Sequence, residues 1–145
     1  MTNTCSSLAR DTQRVDIVPL RRAIFRHFAE TGRAPALAAE ELTALETAHA
    51  AVLDEAGAIA FANPFANGPS ASRVEADGRA YDAVCAWDAL GILAALGTDG
   101  TVSTACPDCG ESIVVDIHGG APVATRAVVH FLVPARRWYE DLGFT

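Results

Sequence analysis

Two pairs of residues in this sequence have types and spacing suited to chemistry. The first is Cys85 and Asp88, in the segment Tyr81-Asp-Ala-Val-Cys-Ala-Trp-Asp-Ala-Leu90. On a helix, side chains three positions apart share a face with their Cβ atoms about 5 to 6 Å apart, so one atom bound to the sulfur would also meet the carboxyl group. A carboxyl group set into an apolar helix is desolvated, which raises its pKa and lets it hold or relay a proton near neutral pH. The same spacing also serves a buried cysteine acting as a small hydrophobe beside an aspartate bonded to a backbone amide. Spacing alone leaves both readings open.

The second pair is Cys106 and Cys109, in Cys-Pro-Asp-Cys-Gly, the spacing and tight turn of half a zinc ribbon. A complete ribbon needs another Cys-x-x-Cys, and the chain has none. Three outcomes stand for this turn: a metal site, a redox pair, or a plain hairpin tip. As a metal site it would hold zinc, copper(I) or mercury, with Cys85, His118 and His130 as further ligands. Cys5 reads as a bystander, and His27 and His49 as solvated residues on helix surfaces. His130, between Val129 and Phe131, reads as a core or interface histidine. Arg136 and Arg137 read as a solvated face. There is no Gly-rich phosphate loop after a strand and no serine-nucleophile motif.

The elements that must position these residues follow from apolar spacing. Ile17, Leu20, Ile24, Phe25 and Phe28 predict a helix over Asp16 to Glu30, with Asp16 as N-cap and Gly32 closing it. A second helix is predicted over Ala38 to Glu55, stopped at Gly57. Ala58 to Phe61 predicts a short strand and Ser72 to Glu75 a return strand before the turn at Asp77-Gly78. Tyr81 to Leu96 predicts a strongly apolar, buried helix carrying Cys85 and Asp88. Thr101 to Ala105 and Glu111 to Ile117 predict a hairpin with the Cys106/Cys109 turn at its tip. Ala127 to Val133 predicts a further strand, and Pro134 opens a short helix. The expected class is α+β, with an N-terminal winged-helix-like helical region (residues 1–76) packed on a small antiparallel sheet. The Cys-bearing helix belongs to a core over residues 77–145.

The totals bound the partners. In a chain of 145 residues, 50% hydrophobic and 20% charged content is that of an ordinary folded domain. A net charge of -7 and a pI near 4.9 oppose phosphate backbones. The presumed recognition helix carries Glu40, Glu41, Glu46, Asp54 and Glu55 and no Lys or Arg, so no nucleic acid is expected. The first ten residues lack a basic region followed by an apolar run, and no apolar stretch approaches the roughly 20 residues of a membrane crossing. A cytoplasmic protein with its four cysteines as thiols is expected.

The stretch from Asp77 to Leu93 resembles the active-site helix of organomercurial (alkylmercury) lyases, in which a tyrosine-containing lead-in precedes Cys-Ala-x-Asp. Val102 to Cys106 is similar to that family's next strand, which also ends in a cysteine. Val133-Pro134 and Trp138 to Phe144 resemble its later strand and helix. The resemblance implies protonolysis of a carbon–mercury bond, giving a hydrocarbon and Hg(II), with no required cofactor and with mercury as substrate and product ion. It assigns Cys85 as one thiolate and Asp88 as proton donor or relay. It also implies a second catalytic cysteine just beyond a segment like Trp138 to Phe144, which the sequence does not supply before Thr145. Cys106 and Cys109 are the thiols left to stand in, although the family's cysteine at the Cys106 position looks structural. Two other functions fit the same residues: a non-catalytic thiol binder using Cys85, Cys106 and Cys109, and a metal-responsive winged-helix regulator. The expected partner is a small organomercurial or soft metal ion, with homodimer formation left open.

Overall fold

The computed structural model describes residues 15–131 and 133–140. Helix α1 (Ile17–Thr31) starts where Asp16 accepts the Val18 N–H at 3.1 Å and ends at Gly32, whose φ of 71° no branched side chain would tolerate. Helix α2 (Ala39–Thr47) opens with the Glu41 carboxylate accepting the Ala38 N–H at 2.9 Å. It stops eight residues short of the expected end at Glu55. His49 takes a left-handed conformation, φ 52°, and so lies past the helix, not on its surface. Val52 and Leu53 become strand β1 (Val52–Leu53), which pairs with β2 (Ile59–Ala62) around a turn containing Gly57. The ladder to β2 offers Val52 and Leu53 backbone partners and burial that an extended α2 would not.

The remaining strands are β3 (Phe65–Ala66), β4 (Ser72–Ala76), β5 (Arg79–Ala83), β6 (Gly100–Ala105), β7 (Ser112–His118) and β8 (Ala121–Pro122). The eight strands among the described residues form one antiparallel sheet in the order β1-β2-β3-β5-β4-β6-β7-β8. The fold is α+β, as expected. Asp77-Gly78, where the sequence reading divides the chain, is the turn joining the paired strands β4 and β5. Both turn residues have positive φ, 49° and 71°, the geometry a two-residue hairpin requires.

That hairpin corrects the expected helix over Tyr81 to Leu96. Tyr81 and Ala83 belong to β5 and face the core, alternating with Ala80 and Asp82, and helix α3 (Ala86–Leu96) begins only after Cys85. Residues 79–83 alternate with period two, and the β4 ladder satisfies their backbone groups. The helix presents Ala89, Ile92 and Leu93 to the core, while Trp87 is 52% exposed, so only one face is buried. The strand expected over Ala127 to Val133 makes no ladder among the described residues, and the outer edge of β7 pairs only with the short β8, at Ile117 and His118. His130 is exposed there and is not a core histidine. Ala135–Glu140 forms a short 3-10 helix.

The core lies between the sheet and the helices, and Phe65 is its hub. Its ring stacks on Phe28 with centroids 4.9 Å apart and meets Phe25 at 5.3 Å and Tyr81 at 5.7 Å. Tyr81 donates its hydroxyl to the Ala29 carbonyl at 2.9 Å, tying β5 to α1. Packing α3 over the sheet requires glycine at position 100. A Cβ there would lie 2.5 Å from the Glu75 carbonyl oxygen and 2.7 Å from Leu93 Cδ2. Gly100→Ala is expected to cost about 1–3 kcal/mol by overpacking, and Phe65→Ala about 3–5 kcal/mol by opening a cavity. Urea unfolding of both variants checks this; a wild-type midpoint for Gly100→Ala would refute the close approach.

Candidate functional site: the entry to helix α3

Cys85 sits at a change of backbone state. It follows Ala83, the last residue of β5, by two positions, and its φ of -149° and ψ of 179° are extended. Its carbonyl accepts the Ala89 N–H at 2.9 Å, the first bond of the helix. Cys85 is therefore the N-cap of α3 and Asp88 its third helical residue. These are the two positions a capping box links, a short polar side chain at the cap and an acidic one three residues on. Here the link runs between the side chains: Cys85 Sγ donates to Asp88 Oδ2 at 3.3 Å. The sequence reading placed both residues inside a helix. The structure keeps them together by a different route, across the helix start.

Both groups are half-buried, and their environment is set accordingly. Burial pushes the Cys85 thiol above its ordinary pKa; the backbone N–H of Asp88 opposes that shift, while the Asp88 charge and its side-chain hydrogen bond reinforce it. The N–H of Trp87 also favours the thiolate. Neither N–H closes a full capping bond to the sulfur. Burial likewise raises the Asp88 carboxyl, against the lowering effect of the Cys85 hydrogen bond. The pair thus retains a proton more readily than either group would in water, although the helix start favours negative charge.

An aromatic series covers this end of α3. Trp87 meets Phe131 edge-on at 5.7 Å, Phe131 meets Trp138 at 5.1 Å, and Trp138 donates its indole N–H to the Val133 carbonyl at 3.0 Å. The sequence reading took Trp87 as one residue of a buried apolar face and gave Phe131 no role. The signal available was the count of aromatic residues near Cys85, but their meeting depends on a contact across 44 positions of chain. A cavity of about 590 Å³ opens along the other half of α3, lined by Leu90, Leu93, Val115, Ile117, Ala127 and Val129 among others; Cys85 and Asp88 do not line it.

Cys106 and Cys109 are brought together at the tip of the β6–β7 hairpin. The neighbouring N–H groups of Cys109 and then Asp108, followed by the Cys109 thiol, favour the Cys106 thiolate and hold its pKa below the ordinary value. Cys85 stands apart from them. Among the described residues no group of three or more His, Cys, Asp or Glu is arranged to hold an ion. His118 instead pairs with Asp99, Nδ1 to Oδ2 at 2.9 Å, and Asp99 is held below the usual carboxylate range by the Gly119 N–H and then by His118. Arg137 pairs with Glu140 and is exposed, as is Arg136. Cys5 lies outside the described residues.

The pattern of the alkylmercury lyase family matches residues 65–143, more than half of the sequence and all of the structure around Cys85. The chain belongs to the alkylmercury lyase family. Among solved structures, the mercury-bound form of MerB2 has a similar fold, with a TM-score of 0.61 and 23% sequence identity over 74% of this chain. The match spans 58% of the MerB2 chain, so this lyase-family chain accounts for under two thirds of that protein's length. A comparison with curated proteins gives no match. No helix among the described residues is long and apolar enough to cross a membrane.

The raised Asp88 pKa gives a signed prediction. A carboxyl raised on folding contributes stability that is fully present below its unfolded pKa, near 3.8, and lost as pH rises through the folded value. Asp88→Asn removes that dependence. Between the ordinary carboxylate range and the raised pKa, the wild-type urea midpoint should therefore fall relative to that of Asp88→Asn, then run parallel to it. Midpoints that stay parallel throughout would show that Asp88 is not desolvated.

Proposed function

We propose that this chain is an organomercurial lyase-like protein that cleaves the carbon–mercury bond of alkyl or aryl mercurials at Cys85 and Asp88. The observation that supports it most directly is the 3.3 Å contact from Cys85 Sγ to Asp88 Oδ2 at the entry to α3, in a chain of the alkylmercury lyase family. The thiol captures the R–Hg⁺ unit as a soft ligand for a soft metal, forming the S–Hg bond and passing its proton to the Asp88 carboxylate. Asp88 then delivers that proton to the mercury-bound carbon. The carbon keeps the electron pair of the broken C–Hg bond and leaves as the hydrocarbon R–H, while Hg(II) stays on the Cys85 sulfur and Asp88 returns to its charged form. One thiol and one carboxylate balance this sequence. A second thiolate would serve to draw Hg(II) away, and no third Cys, His, Asp or Glu adjoins the pair among the described residues.

Burial supports the roles. A carboxyl raised by desolvation binds the thiol's proton more readily than one in water, which suits a relay from sulfur to carbon. We read the first two helices with the β1–β2 hairpin as a winged-helix-like support and not as a DNA reader, since α2 carries Glu40, Glu41 and Glu46 without a cation. A small organomercurial as partner and a cytoplasmic setting complete the reading.

The test is release of benzene from phenylmercury by the purified chain in the presence of a small thiol. Cys85→Ser and Asp88→Ala should each lower the rate by about 100-fold or more. Benzene release no faster than that of Asp88→Ala would sink the proposal.

A further inference from the structure

The hairpin between β6 and β7 closes without help from its cysteine side chains. The Gly110 N–H bonds to the Cys106 carbonyl at 2.8 Å, and the Cys106 N–H to the Glu111 carbonyl at 2.8 Å. Gly110, with φ 73°, turns the chain back. The Cys109 side chain buries little, since the residue is exposed, as are Pro107, Asp108, Gly110 and Glu111. Burial therefore does not account for the Cys109 sulfur, three positions from the half-buried Cys106. Their surroundings point to a ligand role. The turn that Gly110 closes onto Cys106 sets the two thiols three positions apart at one hairpin tip, the spacing at which a single chain offers two sulfurs to one ion.

The ligand count decides the kind of ion. No third Cys, His, Asp or Glu completes a site among the described residues. Cys85 is placed elsewhere by the sheet: it leaves β5 while Cys106 leaves β6, and β4 runs between these strands. Two ladder spacings separate the backbones by roughly 10 Å, about the full reach of two cysteine side chains and an ion between them, and Cys85 joins no three-ligand group with Cys106 and Cys109. Zinc needs four ligands in a closed tetrahedral site. Assembling four thiolates from two copies would also draw two Asp108 and two Glu111 carboxylates of an already acidic chain together.

We propose that Cys106 and Cys109 form a second thiol site, separate from Cys85, that binds one thiophilic ion of low coordination number, with Hg(II) as its divalent form, between two thiolates of a single chain. On binding, two S–H bonds break and two S–Hg bonds form. Both protons pass to solvent, the ion's two charges are cancelled by the two thiolates, and no electron changes hands. The site stands whether or not the reaction at Cys85 occurs.

The experiment uses the full chain carrying Cys5→Ser and Cys85→Ser, so that Cys106 and Cys109 are its only thiols. After reduction and removal of the reductant, it is titrated with Hg(II) and followed by the sulfur-to-mercury ultraviolet band and native mass spectrometry. One Hg(II) per chain is expected, unaffected by an equal concentration of Zn(II). Adding Cys106→Ser or Cys109→Ser should weaken binding at least about 100-fold, because the second bond is no longer intramolecular. One ion per two chains, displacement by Zn(II), or affinity unchanged by either serine would overturn the proposal. So would a Cys106–Cys109 disulfide that re-forms before the ion can bind. Loss of benzene release by the wild-type chain, by contrast, bears only on Cys85 and Asp88.

Discussion

The change from strand to helix at Cys85 is the constraint on which this structure turns. On one side, β5 is held by its ladder to β4 and by Tyr81, whose ring packs on Phe65 and whose hydroxyl reaches Ala29 of α1. On the other, α3 is pressed onto the sheet by Ala89, Ile92 and Leu93 and approaches the backbone so closely at Gly100 that no side chain fits there. With both flanks fixed, the residue between them must be an extended N-cap, and the side chain three positions later must fold back toward it. Cys85 and Asp88 occupy those two places. Their contact is thus a consequence of how a helix begins, and it is anchored by the most buried part of the molecule.

The same constraint explains the chemistry available at the pair. A helix start offers unpaired N–H groups that favour negative charge, and burial opposes charge on both groups. At Cys85 and Asp88 burial prevails, so the pair holds its proton. At Cys106 the balance is reversed: the neighbouring N–H groups of Cys109 and Asp108 outweigh burial, and its pKa falls. One chain therefore carries two thiol environments of opposite character, one suited to guarding a proton and one suited to offering a thiolate. Soft-metal chemistry uses both.

The aromatic contacts at the start of α3 come from distant sequence. Trp87, Phe131 and Trp138 meet only because the chain returns across α3 after β8. That return segment makes no ladder among the described residues, and it carries several exposed valines, Val123, Val128 and Val129. The cavity along the later half of α3 lies between this segment and the helix, where side-chain contacts take the place of a hydrogen-bonded ladder.

Much of this was legible in the residues themselves. The caps of α1, the Asp77-Gly78 turn, the β6–β7 hairpin with its cysteine tip and the pairing of Cys85 with Asp88 all follow from local chemistry: a capping carboxylate, turn formers and short spacings. The family resemblance, too, rested on local motifs, and the match over residues 65–143 agrees with it. What failed was the choice between periods. Residues 79–83 alternate as a strand, and α2 stops at Thr47 because Val52 and Leu53 find partners in β2, facts set by sheet pairing that no window of local sequence contains. Tertiary structure alone decided that Cys85 caps α3 and does not lie within it, that β4 separates it from Cys106, and that Trp87 meets Phe131. The physical reason is the same in each case. Local chemistry chooses conformations over a few residues, while burial and ladder pairing choose among them using parts of the chain that are far apart in sequence.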